Sequence, residues 1–147
     1  MPIIIPIEID NKIREHARQA YPNECCGFML GTQSEPTKKE VSKLIPIDNS
    51  RESEEQYHRF EIKPEEFIKA EIQAEKDNLE VLGFYHSHPN APAKPSEYDR
   101  DHAFPFYSYV IVSVKGGDSP SFPQDKDLTS WQLSAERIFE SEVVCQA

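Results

Sequence analysis

The stretch FYSYVIVSV, residues 106–114, is the strongest strand signal in this 147-residue chain. Aromatic and β-branched residues fill it, and such residues favour strands. The stretch is far shorter than the roughly 20 apolar residues that a membrane-spanning helix needs. We therefore predict a strand of a globular domain, with Phe106 and Tyr107 in the core or on a face of the sheet.

Hydrophobic periodicity on both sides of this stretch predicts short strands interspersed with a few helices. The predicted helices span 10–20, 64–78 and 96–103. The other predicted strands span 25–31, 40–47, 57–62, 79–86, 128–133 and 137–144, and the Ile run between Pro2 and Pro6 predicts a short edge strand. Charged or proline-rich loops are predicted at 48–55 and 116–127. This mixture predicts one α+β domain over residues 1–147, with a mixed sheet.

The predicted helix at 64–78 begins with a proline and two acidic residues, which suit the first turn of a helix. Its apolar spacing predicts a face that packs on the sheet. The residues placed on that face are Phe67, Ile68, Ile72 and either Ala74 or Glu75.

The composition limits the partners and the compartment. With 16 basic and 26 acidic residues the net charge is −10, which argues against binding nucleic acid or an anionic membrane surface. The cysteines Cys25, Cys26 and Cys145 are odd in number and two are adjacent, unlike a disulfide framework. The N-terminus lacks the cationic start and long apolar run of a signal peptide. We therefore expect a soluble, cytoplasmic protein.

A metal-ligand pattern follows the predicted strand at 79–86. His86 and His88 are two residues apart, so on an extended chain both imidazoles point the same way. Asp99 arrives from the first turn of the next predicted helix. Two imidazoles and one carboxylate form the ligand set of a catalytic zinc ion, with the fourth position left for water. The segment Ser96-x-x-Asp99 is also a helix-capping signature, and the two histidines taken alone fit an exposed strand end.

Glu24 is the best candidate for a general base beside such an ion. It stands between Pro22, which ends the first helix, and the apolar run from Cys25, where a carboxylate is poorly solvated. A glutamate in that position can take a proton from a zinc-bound water. A solvated turn residue is the alternative. Cys25 and Cys26 themselves fit small buried side chains better than nucleophiles or ligands.

Together these residues resemble the JAMM metalloprotease family, also called MPN+ or Mov34/MPN/PAD-1. The family's metal motif is His-x-His, seven residues, Ser, two residues and Asp, and residues 86–99 match it without a gap. Glu24 followed by Cys25-Cys26-Gly27 matches the family's upstream glutamate. The resemblance extends from about residue 5 to 140 and is closest to compact prokaryotic single-domain members.

The resemblance implies a fold, a site and a reaction. The fold would be a curved mixed β-sheet flanked by helices, with a cytidine-deaminase-like layout. His86, His88 and Asp99 would bind one Zn²⁺, Glu24 would be general base and then acid, and Ser96 would donate a hydrogen bond to the oxyanion. The reaction would be hydrolysis of a peptide or isopeptide bond by water.

The resemblance also suggests a class of substrate. No long segment separates Asp99 from the strand at 106–114, unlike in larger deubiquitinating relatives, so a small ubiquitin-like or sulfur-carrier protein with a Gly-Gly end is expected. Two other functions stay open: a non-catalytic MPN-type binding module and a small-molecule metallo-amidase. The sequence does not indicate the oligomeric state.

Overall fold

The computed structural model describes residues 2–33, 38–47, 63–115 and 124–146, with only the main chain at 124–126. These residues form an eight-stranded mixed sheet flanked by helices, which confirms the expected α+β class. The helices are α1 (Ile7–Ala20), α2 (Pro64–Lys76) and α3 (Glu97–His102). The strands are β1 (Ile3–Ile4), β2 (Cys26–Gln33), β3 (Lys39–Ile47), β4 (Glu80–Pro89), β5 (Ser108–Lys115), β6 (Gln124–Leu133), β7 (Phe139–Glu142) and β8 (Val144–Cys145).

The sheet curls until its two ends nearly meet. Its order is β7-β6-β5-β4-β2-β3-β1-β8, so β7 and β8 lie at opposite ends. Along the chain, however, only Val143 separates Glu142 of β7 from Val144 of β8. Since consecutive Cα atoms are about 3.8 Å apart, Glu142 and Val144 lie within about 7.6 Å of each other. Strand β8 also pairs with β1, which corrects the expectation that the Ile run is an edge strand.

Strand β4, which includes most of the strand predicted at 79–86, lies in the middle of this sheet. It pairs antiparallel with β2 and parallel with β5, and both partners align with the stretch from Gly83 onward. A side chain at Gly83 would collide with the backbone oxygen of Ser108 in β5. Because glycine has no side chain, β4 and β5 can approach each other closely at Gly83, just before the two histidines.

Two apolar clusters cover the faces of the sheet. One lies under α1 and includes Tyr85, and the other lies under α2 and includes Phe84. Because side chains alternate along a strand, His86 and His88 follow Phe84 onto its face of the sheet. The two histidines therefore lie on the same face of the sheet as the apolar cluster under α2.

The face that α2 turns to the sheet differs from the expected one. Ala70 and Ala74 are buried and Phe67 is half-buried, whereas Ile68 and Ile72 are 57% and 50% exposed. The two alanines allow α2 to approach the aromatic cluster closely, and Phe67 contacts the Phe28 ring edge to face. Ile68 and Ile72 lie about 130° and about 170° around the helix from the middle of that line, so their predicted inward position was wrong.

The strand predicted at 106–114 begins two residues later, at Ser108. Phe106 has a φ of 74° and is 71% exposed, and its N–H donates to the carbonyl of Leu133. A positive φ interrupts an extended strand, so the prediction that Phe106 lies in the core or on a sheet face was wrong. Tyr107 is half-buried and does pack against Phe84.

Other boundaries also move. Helix α1 begins at Ile7, after Pro6, rather than at residue 10 or 11. The strand predicted at 137–144 divides into β7 and β8, and β6 begins at Gln124 within the predicted loop. The predicted strand at 57–62 and the acidic stretch at 52–55 lie outside the described residues. No described helix is long and apolar enough to cross a membrane.

Candidate metal centre

The end of β4 brings two imidazoles together. His86 and His88 are both buried, and their Nε2 atoms are 3.2 Å apart. The Nδ1 of His88 lies 2.9 Å from the carbonyl oxygen of Pro92. A carbonyl accepts a hydrogen bond and cannot donate one, so Nδ1 carries a proton, and the neutral form of His88 has its lone pair on Nε2. The structure thus places both residues as the alternation along the strand predicts.

Helix α3 brings Asp99 to the same point. Its Oδ2 lies 3.0 Å from Nε2 of His88 and 3.4 Å from Nε2 of His86. A capping box fixes the residue: the amide of Asp99 donates to Oγ of Ser96 at 3.0 Å, and the amide of Ser96 donates to Oδ2 at 2.8 Å. Capping and approach to the histidines therefore occur together, because the cap orients the carboxylate.

Glu24 reaches the site from the segment just before β2, the strand that pairs with β4. Ser87, which lies between the two histidines, accepts a hydrogen bond on Oγ from the amide of Cys25 at 2.8 Å and donates its own amide to the carbonyl of Cys25 at 3.2 Å. This double contact fixes the residue next to Glu24 against β4. Glu24 is buried, and it, His86 and His88 each offer one ligand atom within 4.8 Å of the others.

The donor atoms have the spacing of zinc ligands. Tetrahedral zinc with bonds of 2.0–2.1 Å separates its ligand atoms by about 3.3 Å. The triangle formed by the two Nε2 atoms and Oδ2 of Asp99 has sides of 3.0, 3.2 and 3.4 Å. Two imidazole nitrogens and one carboxylate oxygen are also donors that zinc accepts. The residues present therefore fit this ion.

The electrostatics of the site support ion binding. Burial lowers the pKa of His86, which keeps this imidazole neutral. Burial also acts against a charged His88, but its hydrogen bond to Asp99 and the charge of Asp99 outweigh it and raise the His88 pKa. For Asp99 burial favours the neutral acid, yet the two neighbouring imidazoles, through charge and hydrogen bonding, hold its pKa far below the usual range. Asp99 is therefore ionised and ready to act as a ligand.

Ser96 lies at the start of α3, beside this triangle. Its Oγ accepts the amide of Asp99, which leaves the hydroxyl proton to be donated elsewhere. The side chain is exposed, so a substrate can reach it. The structure therefore brings Ser96 to the same cap as Asp99.

Several contacts at and around the site were not expected from the sequence. Ser87 was not singled out, although its place between two histidines assigns it to the opposite face of β4. The Nδ1 atom of His16 lies 2.8 Å from the hydroxyl of Tyr85. His102 stacks on Tyr98 at the surface of α3. Cys25 and Cys26 are buried, as predicted, and burial raises the pKa of the Cys25 thiol to about 12.

Known proteins with similar sequences include a desampylase and a peptidase. Residues 7–134 match the model of the family of prokaryotic homologues of the JAB domain. The chain is 41% identical over 126 residues to a desampylase of Pyrococcus furiosus, covering 84% of this chain and 76% of that protein. It is 27% identical over 142 residues to the CysO-cysteine peptidase of Mycobacterium tuberculosis, covering 96% of this chain and 89% of that protein.

Solved structures of other proteins have the same fold. A protein from Desulfitobacterium hafniense superposes with a TM-score of 0.80 at 29% identity, covering 99% of this chain and 92% of that one. A JAB1/MPN domain protein from Archaeoglobus fulgidus superposes with a TM-score of 0.60 at 18% identity, covering 99% and 98%, which bears on the fold alone. The expected family and fold are confirmed: this chain belongs to the family of prokaryotic JAB-domain homologues, as a peptidase of the JAMM type.

Proposed function

We propose that this peptidase is zinc-dependent and releases small ubiquitin-like or sulfur-carrier proteins from their conjugates. The observation that carries the zinc assignment is the triangle of Nε2, Nε2 and Oδ2 atoms with sides of 3.0–3.4 Å. In this proposal His86, His88 and Asp99 would hold one Zn²⁺.

When bound, the ion polarises the scissile carbonyl and makes a water molecule acidic enough to react at neutral pH. A carboxylate oxygen of Glu24 then takes the proton of that water and later delivers it to the leaving amine. The hydroxyl of Ser96 donates a hydrogen bond to the carbonyl oxygen as it becomes negative. No side chain forms a covalent bond with the substrate.

The substrate class is supported by the relatives and by the sheet. Among the relatives are a desampylase and a CysO-cysteine peptidase, and a third, from Thermus thermophilus, is named a probable TtuB-protein conjugate cleaving protease. Strand β1 pairs with β3 only at Lys39 and Glu40, and no other described strand pairs with the outer edge of 41–47. This edge ends at Ile47, which lies opposite Cys26, and Cys26 lies opposite His86.

An extended Gly-Gly tail fits that edge. A peptide can add itself to an open strand through main-chain hydrogen bonds, and glycine permits close approach of its backbone. A tail on 41–47 would run along the sheet toward the end that carries the histidines. We therefore propose that the carrier's tail binds there and is cut after its final glycine.

Two further properties belong to the proposal. A cytoplasmic location is supported by the acidic composition and by cysteines that are all free among the described residues. A single domain over residues 1–147 is supported by the pairing of β1 with β8, which joins the two ends of the chain in one sheet.

The test is to incubate the protein with carrier proteins that have extra residues after Gly-Gly, and to measure the intact masses of those carriers. We expect loss of the extension, inhibition by a metal chelator and recovery on addition of zinc. Purified protein without zinc that gains none on incubation would refute the metal centre. Zinc-loaded protein that leaves every carrier intact would refute the substrate class, and a digest of a peptide library would then reveal another specificity.

A further inference from the structure

The proline-rich segment between His88 and α3 is fixed by side chains of two neighbouring strands. Ser113 of β5 donates its hydroxyl to the carbonyl of Ala91 at 2.6 Å. Thr129 of β6 donates its hydroxyl to the carbonyl of Ala93 at 2.7 Å. These two carbonyls flank Pro92, whose own carbonyl accepts Nδ1 of His88 at 2.9 Å.

The rotation of the Thr129 hydroxyl is itself constrained. The indole Nε1 of Trp131 donates to Oγ1 of Thr129 at 2.8 Å. With this bond the oxygen accepts from Trp131, and its proton points to Ala93. Ser113 is buried and Thr129 is half-buried, so water competes weakly for these bonds.

The segment has few other means of holding its shape. Proline has no N–H, so the amide of Pro92 cannot anchor the chain. The backbone contributes a bond from the amide of Asn90 to the carbonyl of Val114 and one from the amide of Lys94 to the carbonyl of Pro92. The side-chain bonds at Ala91 and Ala93 therefore act together with the Lys94 amide and with the bonds between Asn90 and the Tyr21 hydroxyl to fix the direction of the Pro92 carbonyl.

We propose that Ser113 and Thr129 are positioning residues of the metal centre. They hold the Pro92 carbonyl against Nδ1 of His88, which fixes the imidazole ring and leaves Nε2 for the metal. Partners of a ligating histidine typically change metal affinity by 10–100-fold when they are removed. The proposal rests on the proposed function, since it requires that His88 binds zinc.

The experiment measures zinc affinity by competition with a chromophoric chelator. The variants are Thr129→Val, Ser113→Ala and their combination, and Thr129→Ser restores the hydroxyl. We expect each single loss to weaken zinc binding by about tenfold and the combination by more. Thr129→Ser should stay within about twofold of the wild type.

Ser130→Ala is the matched control. Ser130 is the next residue on β6, and its buried hydroxyl donates to Glu142 at 2.8 Å, away from the segment. This variant loses a comparable bond and should melt at a lower temperature, yet its zinc affinity should equal that of the wild type. Zinc affinities that fall in parallel with melting temperature in all variants, Ser130→Ala included, would overturn the positioning role.

A spectroscopic readout separates positioning from a general loss of stability. In ¹⁵N-labelled, zinc-loaded wild type, the Nδ1 proton of His88 should exchange slowly with water. It should exchange faster in Thr129→Val and remain slow in Ser130→Ala. If wild type binds zinc tightly and the variants match it in both measurements, only the positioning role fails. If the wild type binds no zinc, both the positioning role and the proposed function fail.

Discussion

At the scale of single residues, Glu24 is the residue whose role most needs a test, because two roles fit its position. It lies close enough to His86 and His88 to bind a metal, and it can equally move a proton. We expect Glu24→Gln to retain zinc and to lose at least about 100-fold in turnover, since the amide cannot accept a proton. Zinc content and initial cleavage rate measure the two effects.

Glu97→Gln is the control for that variant, because Glu97 is an exposed carboxylate at the start of α3 outside the cluster. It should leave both measurements unchanged. A Glu24→Gln protein that loses zinc would make Glu24 a ligand, and one with full turnover would remove it from the chemistry.

An isosteric substitution separates the proposed metal-binding role of Asp99 from its role in capping α3. Asn at this position still accepts the amide of Ser96 but is a weaker, uncharged ligand. We expect the Asp99→Asn protein to fold and to bind zinc more than about 100-fold more weakly. That loss exceeds the range found for residues that only hydrogen-bond to a metal ligand. Asp101→Asn, an exposed change in the same helix, should bind zinc like the wild type. Stoichiometric, tight zinc in Asp99→Asn would refute the ligand assignment.

Protons should compete with zinc chiefly at His88. The His88 pKa is raised and the His86 pKa is lowered, so as the pH falls His88 is protonated first. Zinc must then displace that proton, and its affinity should fall by about tenfold per pH unit below the His88 pKa. Above that pKa the affinity should be flat. Calorimetric titrations between pH 5.5 and about 8.5 test this, and a flat profile throughout would contradict it.

At the scale of elements, α3 is a short helix whose cap also serves the site. Ser96→Ala removes the acceptor for the Asp99 amide, which typically costs about 1 kcal/mol, and it also removes the proposed donor to the oxyanion. Ser96→Asp restores an acceptor for the Asp99 amide but has no hydroxyl proton to donate to the oxyanion. We therefore expect Ser96→Asp to recover the thermal stability that Ser96→Ala loses, while turnover stays low in both. Recovery of turnover in Ser96→Asp would show that Ser96 acts only as a cap.

The success of prediction differed between elements for physical reasons. The placement of three of the proposed site residues was predictable because it is local: alternation along β4 places His86 and His88, and the capping box from Ser96 to Asp99 places the carboxylate. The inward face of α2 was not, since Ile68 and Ala70 are equally compatible with a helix and only the aromatic cluster beneath selects Ala70. The turn at Phe106 likewise depends on Leu133, a partner far along the chain.

At the scale of the whole molecule, a buried ion pair lies where the curled sheet approaches closure. Nζ of Lys39 in β3 lies 3.2 Å from Oε2 of Glu142 in β7 and donates to Oγ of Ser108 in β5. Ser130 of β6 donates to the other oxygen of Glu142 at 2.8 Å. The side chains of Lys39 and Glu142 are only 3% and 1% exposed. This network links β3 to the neighbouring strands β5, β6 and β7, from which β4 and β2 separate it in the order of the sheet.

Removing one charge of this pair should destabilise the fold more than removing both. Lys39→Met leaves the Glu142 carboxylate buried beside a single hydroxyl donor, and breaking such a pair typically costs about 3–5 kcal/mol. Replacing both, Lys39→Met with Glu142→Leu, removes the uncompensated charge and fills the space with apolar atoms. We expect its free energy of unfolding, measured with urea, to return to within about 1 kcal/mol of the wild type.

The comparison that makes this result informative is Lys43→Met, which breaks the exposed pair of Lys43 with Asp77 at 2.9 Å. Both ions there are hydrated, so the loss should be small. If Lys39→Met is no worse than Lys43→Met, the buried pair does not stabilise closure of the sheet. If the double replacement is as unstable as Lys39→Met alone, the cost arises from lost packing or from the unpaired hydroxyls of Ser108 and Ser130 rather than from an unpaired charge.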